Sequence, residues 1–543
     1  MSGKSQPSVF TEGGIRFLRP FIAFTSEKTA ADRLVKTCAE EWAIPAGEVR
    51  RAVRAAWLEQ RRAKDDIRAE GARVLAEMEA KGGRGIVLAG RPYHIDPEIN
   101  HGIPELIASY GLTVFTEDSL PLVPETGELR VVDQWVYHSR LYNAARFVAG
   151  REDLELIQLN SFGRGLDAVT ADQVAEILGR HNKLCTLLKI DEVNNLGAVR
   201  IRIRSLLSAM DLRREKGIRP TEASPVPARV EFTRQMFREG YTILAPQMSP
   251  IHFELLEPVF RKHGFRMVVL DNDDRRAIDV GLKYVNNDAC FPSITVVGQI
   301  MQAIESGKYD TDRLAVIMTQ TGGCCRASNY VGFIRRALEK AGLSHIPVIS
   351  LNANGMEQNE GFKVSPGLLK EALEAVVWSD LMMRCLYRVR PYERTPGSAD
   401  ALHKKWREKC IAVLTGKEKG RYGDICRAIV RDFDEFPIRE DLKKPRVGVV
   451  GEILVKYMPL ANNHLVELLE KEGAEAVVPD LLDFLNYSFY NNTYRAEFLG
   501  AKKSTDALSR LVIRLLGQIR KPALEALEQS KRFEAPMPIE HRC

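Results

Sequence analysis

Short apolar segments alternate with helical patterns along most of this 543-residue chain, and this alternation restricts the fold more than any other feature. The segments 86–89, 112–115, 154–159 and 184–189 predict strands, and a helical pattern separates each from the next. Consecutive strands joined by helices form parallel sheets with helices on their faces. The sequence therefore predicts an α/β fold with a doubly wound parallel sheet.

The same alternation restarts after residues 217–229, a stretch with three prolines and small polar residues that predicts a linker. Strands are predicted at 241–245, 266–270, 313–318 and 347–350, again with helical patterns between them. A second parallel sheet is expected here. The chain is thus predicted to contain tandem Rossmann-like domains.

Residues 27–82 carry apolar side chains at roughly helical spacing among Arg, Lys and Glu, which predicts an N-terminal helical arm. A third unit begins at Arg446, but its two evident strands predict an incomplete sheet or one completed by another chain. The predicted segments are the helical arm (1–83), the first Rossmann-like domain (84–216), the linker (217–229), the second Rossmann-like domain with the cysteine loops (230–360), a helical segment (361–444) and the third Rossmann-like domain (445–543).

Composition narrows the function classes only moderately. The net charge of +6 comes from 78 basic and 72 acidic residues, a mild excess that does not favour nucleic acid as a partner. The sequence contains no run of about 18 apolar residues, so a membrane span is not predicted. The N-terminus has no apolar leader, and a cytoplasmic protein is therefore expected. The nine cysteines are then expected to be free thiols rather than disulfides.

Two cysteine-bearing loops precede predicted helices, and the second also follows the predicted strand at 313–318. Cys290 lies in the first loop, and Cys324 and Cys325 lie in the second. In a parallel sheet this is the carboxyl edge, where ligands bind, and a helix N-terminus stabilises a thiolate. The placement favours an iron–sulfur site, although the spacing is not that of a ferredoxin, and buried loop cysteines are the alternative.

The loop after the first strand offers a second group of candidates. His94, Asp96 and His101 are residue types that bind divalent metals, whereas Arg91 and the following helix N-terminus would suit an anion or a partner interface. A loop held by its own hydrogen bonds is the alternative. Arg164, in a glycine-rich loop after the strand at 154–159, would meet an anion or face solvent.

Residues 447–452 contain two glycines after a short strand but lack the full G-x-G-x-x-G order of a dinucleotide site. A P-loop and a G-x-S-x-G elbow are absent from the sequence. A nucleotide-dependent oxidoreductase that uses Gly448 and Gly451 is therefore a hypothesis of low rank. The two functions described below, an iron–sulfur subunit and a clusterless scaffold, rank above it.

Several longer phrases resemble the acyl-CoA dehydratase activase-related proteins, whose modules are similar to subunits of 2-hydroxyacyl-CoA dehydratases, benzoyl-CoA reductases and double-cubane cluster proteins. The resemblance covers nearly all of residues 84–500. The phrases are Leu88–Pro97, Asn287–Pro292, Gln320–Tyr330, Arg390–Glu393 and Val449–Lys456.

This resemblance implies tandem Rossmann-like domains that hold a low-potential iron–sulfur cluster, of the [4Fe-4S] or double-cubane type, for anaerobic metabolism. It also implies an ATP-hydrolysing activator with an actin-like fold that delivers single electrons, and a homo- or hetero-oligomer. Cys290 and Cys325 match the family's cysteines. Such a chain would transfer electrons, or would be a reductase or dehydratase component acting on a substrate such as a CoA thioester.

Two departures from the family pattern keep a second hypothesis open. Arg164 stands where the group usually has a cysteine, and the group usually continues beyond the equivalent of residue 543 into a Pro-Phe-Gly-Cys segment. Cys290 and Cys325 alone are too few for a stable cubane, so the cluster is expected to be incomplete or absent unless other ligands help. The alternative is a clusterless scaffold or regulatory subunit that docks the activator ATPase.

Overall fold

The structure is a computed structural model. It describes residues 18, 20–122, 129–161, 165–190, 196–222, 224, 228–320, 325–352 and 357–537. The chain forms two compact units, each assembled from separate stretches of sequence. Unit 1 comprises residues 1–60, 247–269 and 364–543, and unit 2 comprises residues 61–246 and 270–363.

Helices and strands are numbered in chain order. The helices are α1 (Glu27–Trp42), α2 (Ala46–Ala80), α3 (Pro97–Asn100), α4 (Ile103–Ala108), α5 (Val136–Ala149), α6 (Gly165–Arg180), α7 (Gly197–Glu215), α8 (Arg234–Arg238), α9 (Pro250–Lys262), α10 (Arg275–Tyr284), α11 (Phe291–Glu305), α12 (Tyr330–Lys340), α13 (Pro366–Val389), α14 (Ser398–Leu414), α15 (Tyr422–Asp434), α16 (Ile453–Tyr457), α17 (Pro459–Asn462), α18 (Leu465–Lys471), α19 (Leu481–Phe498) and α20 (Lys503–Glu528). The strands are β1 (Gly85–Ala89), β2 (Thr113–Thr116), β3 (Leu154–Ser161), β4 (Cys185–Ile190), β5 (Thr242–Ala245), β6 (Arg266–Val269), β7 (Leu314–Thr319), β8 (Val348–Leu351), β9 (Arg446–Gly448) and β10 (Glu475–Val477).

The first sheet of unit 2 has four parallel strands in the order β2-β1-β3-β4. Its register pairs Gly85 of β1 with Leu154 of β3. Every residue of β1 is buried, as expected for a parallel strand that is covered on both faces. The core on one face is formed by β-strand and helix side chains that include Ile86, Ile157, Ile107 from α4 and Ile203 from α7. The predicted doubly wound α/β fold is confirmed.

The second sheet contributes β5, β7 and β8 to unit 2, and these strands are also parallel. Thr242 of β5 pairs with Leu314 of β7, and Val316 of β7 pairs with Val348 of β8. The helices α10, α11 and α12 belong to the same unit. All ten residues from Pro292 to Met301, together with Ala303 and Ile304, are buried in α11, so this helix lies in the core of unit 2.

The crossing of α10 and α11 depends on two glycines. A Cβ atom added to Gly298 would lie 1.7 Å from the carbonyl oxygen of Ala277. A Cβ atom added to Gly281 would lie 2.1 Å from the carbonyl oxygen of Ile294. The backbones of the two helices therefore approach too closely for any residue other than glycine, and this contact positions the N-terminus of α11, where Cys290 lies.

Unit 1 is mainly helical, and its internal sheet pairs β9 with β10 in parallel. A buried hydrogen-bonded chain connects α9 to α13. Ser249 Oγ lies 2.7 Å from His252 Nδ1, and His252 Nε2 lies 2.9 Å from Asp380 Oδ1. The Asp380 carboxylate also accepts the backbone N–H groups of Leu481 and Leu482 at the start of α19. All of these groups are buried, so the chain acts as a structural link between three helices.

The N-terminal arm consists of two helices rather than one. Ala43 ends α1 in the left-handed conformation with φ of 55°, and Pro45 disfavours helical backbone in the residue before it. The two helices enclose a small apolar cluster of Ala30, Ala31, Val49 and Val53. None of the described helices is at once long enough and apolar enough to cross a lipid bilayer.

Candidate functional site at the carboxyl edges of unit 2

Both matched cysteines occupy N-cap positions in unit 2. Cys290 precedes α11, is partly buried, and places its sulfur 3.2 Å from the hydroxyl oxygen of Tyr330. Cys325 is exposed and caps the 3-10 turn Arg326–Asn329, after which Tyr330 begins α12. The Cys290 thiol therefore contacts the first residue of the helix that follows the Cys325 turn. Both cysteines are free thiols.

Polar contacts connect these loops to the region of the first sheet. Lys189 lies near the end of β4, and its Nζ is 2.7 Å from Asp288, in the loop that contains Cys290. Gln134 Nε2 donates a 3.1 Å hydrogen bond to the carbonyl oxygen of Cys325. The first contact links β4 of the first sheet to the Cys290 loop, and the second links the segment before α5 to the Cys325 turn.

His94 is buried at this edge in the loop after β1. Its Nδ1 accepts a 3.0 Å hydrogen bond from the Arg91 N–H, and its Nε2 lies 3.2 Å from Ser161 Oγ. Burial, opposed by Asp167 and assisted by the positive charge of Arg91, lowers the pKa of His94 to about 4. The ring is therefore neutral near pH 7, with Nε2–H available to donate to Ser161.

Arg91 is already paired with a buried carboxylate. Its Nε donates a 2.9 Å hydrogen bond to Asp167 Oδ1, and His138 Nε2 lies 3.7 Å from the same oxygen. Burial alone would raise the pKa of Asp167, but the neighbouring His138 and the Arg91 guanidinium hold it below its usual range. The charge of Arg91 is thus largely neutralised within the fold.

Asp96 and His101 have structural roles in the short helix α3. The exposed Asp96 side chain caps α3 by accepting a 2.9 Å hydrogen bond from the Glu98 N–H. His101 ends the helix in the left-handed conformation, with φ of 55°.

Across the described ranges, no group of three or more His, Cys, Asp or Glu side chains is arranged to hold a metal ion. Arg164 and Cys324 lie outside the described residues.

Glu117 is a buried titratable group at the same sheet edge that the sequence analysis missed. It follows β2, and Arg140 Nη2 donates a 2.8 Å hydrogen bond to its Oε1. Burial raises the pKa of Glu117 to about 7, although Arg140 opposes the shift. Its position immediately after a parallel strand was the available signal, because the carboxyl ends of such strands share one edge.

Four of the five other described cysteines are poorly suited to bind iron. Burial raises the pKa of Cys185 in β4 to about 11. Burial also raises the pKa values of Cys385, Cys410 and Cys426, which are fully buried in unit 1. These thiols remain protonated at neutral pH, whereas a cysteine that binds a metal does so as a thiolate.

The glycine-containing loop after β9 is already capped by an acidic side chain. Gly451 has φ of 134°, and Glu452 accepts hydrogen bonds from the N–H groups of Leu454 and Val455 at 2.8 and 3.2 Å. These N–H groups are the ones that would otherwise bind a phosphate at the helix N-terminus. These two N–H groups are therefore already used and do not offer a binding site to a dinucleotide pyrophosphate.

Comparison with known families identifies the N-terminal part of the chain. Residues 4–120 match the family described as the CoA enzyme activase uncharacterised domain. This match confirms the predicted relationship to the acyl-CoA dehydratase activase-related proteins. Neither the curated proteins nor the solved structures contain a match to the chain.

Proposed function

We propose that this activase-related chain is an iron–sulfur subunit in which Cys290 and Cys325 bind the cluster. The observation that carries the proposal is that both thiols occupy N-cap positions in unit 2 and that the Cys290 sulfur contacts Tyr330, which begins the helix after the Cys325 turn. The N–H groups at such positions favour thiolates and the negative charge of a bound cluster. When bound, the cluster would supply one-electron transfer.

The described donors match an iron–sulfur cluster in kind but not in number. A [4Fe-4S] cluster is typically held by four cysteine thiolates, and Cys290 and Cys325 supply two. We therefore propose that the other ligands come from Cys324 or from a partner chain. Tyr330 would then orient the Cys290 sulfur through their 3.2 Å contact.

The proposed electron donor is an ATP-hydrolysing activator with an actin-like fold, as the family resemblance implies. Iron–sulfur potentials range from roughly −700 to +450 mV, and a reduction that forms a ketyl radical requires the low end of that range. Coupling to ATP hydrolysis in a partner would provide that driving force. A CoA thioester is the proposed substrate class.

Anaerobic reconstitution with iron and sulfide tests the proposal. We expect the wild-type protein to turn brown, to hold about four irons per chain and to give an electron paramagnetic resonance signal after reduction. Cys290→Ser and Cys325→Ser should each lose most of the iron, because a ligand is removed. Cys185→Ser is the matched control and should retain it, since Cys185 lies within β4, away from both N-caps, and its thiol has a raised pKa.

The second candidate function is a clusterless scaffold that docks the activator. The specific observation in its favour is that no three potential ligands converge within the described part of the chain. A wild-type protein that stays colourless after reconstitution, with a native circular dichroism spectrum, would refute the iron–sulfur proposal and favour the scaffold.

A further inference from the structure

Unit 1 contains a cavity of about 210 Å³ that is separate from the cysteine loops. Residues from α9, α13, α14 and the segment of α16 to α18 surround it. Its apolar wall includes Met383, Leu386 and Val466, all of which are buried. The volume is below the roughly 300–1,000 Å³ typical of sites for drug-sized ligands, so the cavity suits a small molecule.

Two arginines in the cavity wall already have carboxylate partners. Arg390 donates to Glu470 at 2.8 and 3.0 Å and to Asp400 at 3.0 Å. Arg407 lies 3.2 Å from both carboxylate oxygens of Glu254. These pairs neutralise one another and leave little of the arginine charge for a ligand.

Lys456 provides the cation that these pairs do not neutralise. This partly buried side chain lies in the last turn of α16 and lines the cavity. Its Nζ lies over the rings of Tyr457 and Phe484, at 5.4 and 6.0 Å from their centroids, and forms no ion pair with a carboxylate of the described residues. Burial lowers the pKa of Lys456, as expected for an ammonium group that lacks a close counter-charge, while Glu452 and Asp483 oppose the shift.

His403 and Tyr387 add polar groups to the same wall. The Nε2 atom of His403 is buried and has no hydrogen-bond partner. Burial lowers the pKa of His403 to about 4, so its ring is neutral. Burial also raises the pKa of Tyr387 to about 12, so its hydroxyl keeps its proton and can donate it. By contrast, the Ser249 hydroxyl at the cavity is engaged by His252.

We propose that this cavity binds a short-chain monocarboxylate, with the carboxylate at Lys456, Tyr387 and His403 and the apolar body against Met383 and Leu386. Lys456 is the cation of this wall that makes no ion pair with a described carboxylate, and the buried Nε2 of His403 is costly until a ligand satisfies it. An inorganic phosphate would carry more charge than Lys456 can neutralise and would leave the apolar wall empty. A nucleotide would exceed the volume.

Calorimetric titration of the full-length protein with butyrate tests this proposal, with butyramide as the neutral isostere and inorganic phosphate as the alternative anion. We expect butyrate to bind and butyramide to bind much more weakly. Lys456→Met should weaken butyrate binding about tenfold or more, because a charge-assisted hydrogen bond is lost. Lys471→Met removes an exposed lysine of α18 and should leave binding unchanged.

The unfolding midpoint of each variant without ligand should match the wild type, which separates loss of binding from loss of folding. Three outcomes would overturn the proposal. They are the absence of butyrate binding to the wild type, equal binding of butyrate and butyramide, and wild-type butyrate affinity in a folded Lys456→Met protein. Tighter binding of phosphate than of butyrate would also refute the proposed ligand class. None of these results depends on iron at Cys290.

Discussion

At the scale of single residues, burial shifts the pKa values of an acid and a base at the candidate site in opposite directions. Glu117 and His94 both lie at the carboxyl edge of the first sheet, and both are buried. Burial favours the neutral form of each, so the pKa of the acid rises and that of the base falls. The edge therefore holds a neutral imidazole and a carboxyl group that changes charge near physiological pH.

Glu117 should make the stability of the protein depend on pH. Its folded-state pKa of about 7 lies above the ordinary value of 4.5, so the folded state binds this proton more tightly. The stabilisation is complete below pH 4.5 and is lost as the pH rises through 7, by on the order of 3 kcal/mol. Glu117→Gln cannot ionise, so its free energy of unfolding should rise relative to the wild type over that range.

Urea denaturation at pH 4.5, 6 and 8 measures this difference. Glu98→Gln is the control, because Glu98 is an exposed glutamate of α3 and should change stability little at any of these pH values. A constant difference between Glu117→Gln and the wild type at all three pH values would contradict the assigned pKa.

At the scale of elements, a close helix crossing, that of α10 and α11, determines the geometry of the Cys290 loop. Gly298 sits where a side chain would collide with the carbonyl oxygen of Ala277, a backbone atom that cannot rotate away. The N-terminus of α11 carries Cys290, so the packing of two helices controls the position of a proposed ligand. Helix propensity alone would favour alanine at such a position.

Gly298→Ala should destabilise the protein by about 3 kcal/mol, because overpacking forces α10 and α11 apart. It should also lower iron incorporation, since Cys290 moves with α11. Gly517→Ala is the matched control. Gly517 is exposed on α20, where an added Cβ meets no atom within 4 Å, and the substitution should stabilise the protein by about 0.5–1 kcal/mol. Thermal unfolding of both variants measures these effects, and an unchanged midpoint for Gly298→Ala would contradict the packing argument.

At the scale of the whole molecule, neither unit is a continuous stretch of chain. The C-terminal stretch 364–543 of unit 1 packs against α9, which comes from residues 247–269. Lys262 lies 2.6 Å and His263 lies 2.9 Å from Glu371 of α13, and the His252–Asp380 bond is fully buried. Removal of α9 would therefore expose apolar surface and leave the buried Asp380 without its histidine.

A fragment of residues 364–543 should not fold cooperatively by itself. We expect it to keep helical far-ultraviolet circular dichroism, to lose near-ultraviolet signal and to bind a hydrophobic dye, because its core lacks α9. The full-length chain, measured in the same buffer, is the comparison. A sharp unfolding transition and native-like near-ultraviolet signal in the fragment would contradict this expectation.

Local sequence patterns predicted most of the elements correctly. The segment 154–159 was predicted as a strand, and β3 extends over it to Ser161. The break between α1 and α2 was missed, although Pro45 gave a local signal for it. Such features depend on spacing and backbone preference within a few residues, and these can be read directly from the order of amino acids.

The amino-acid sequence by itself determined the parallel α/β class, the family resemblance and the placement of Cys290 and Cys325 before helices. Only the tertiary structure decided that Arg91 pairs with Asp167, that Glu117 is buried beside Arg140, and that Lys456 shares a cavity with His403. The physical reason is that protonation and pairing depend on burial and on neighbours that are distant in the chain. Those neighbours are brought together only when the helices and sheets pack.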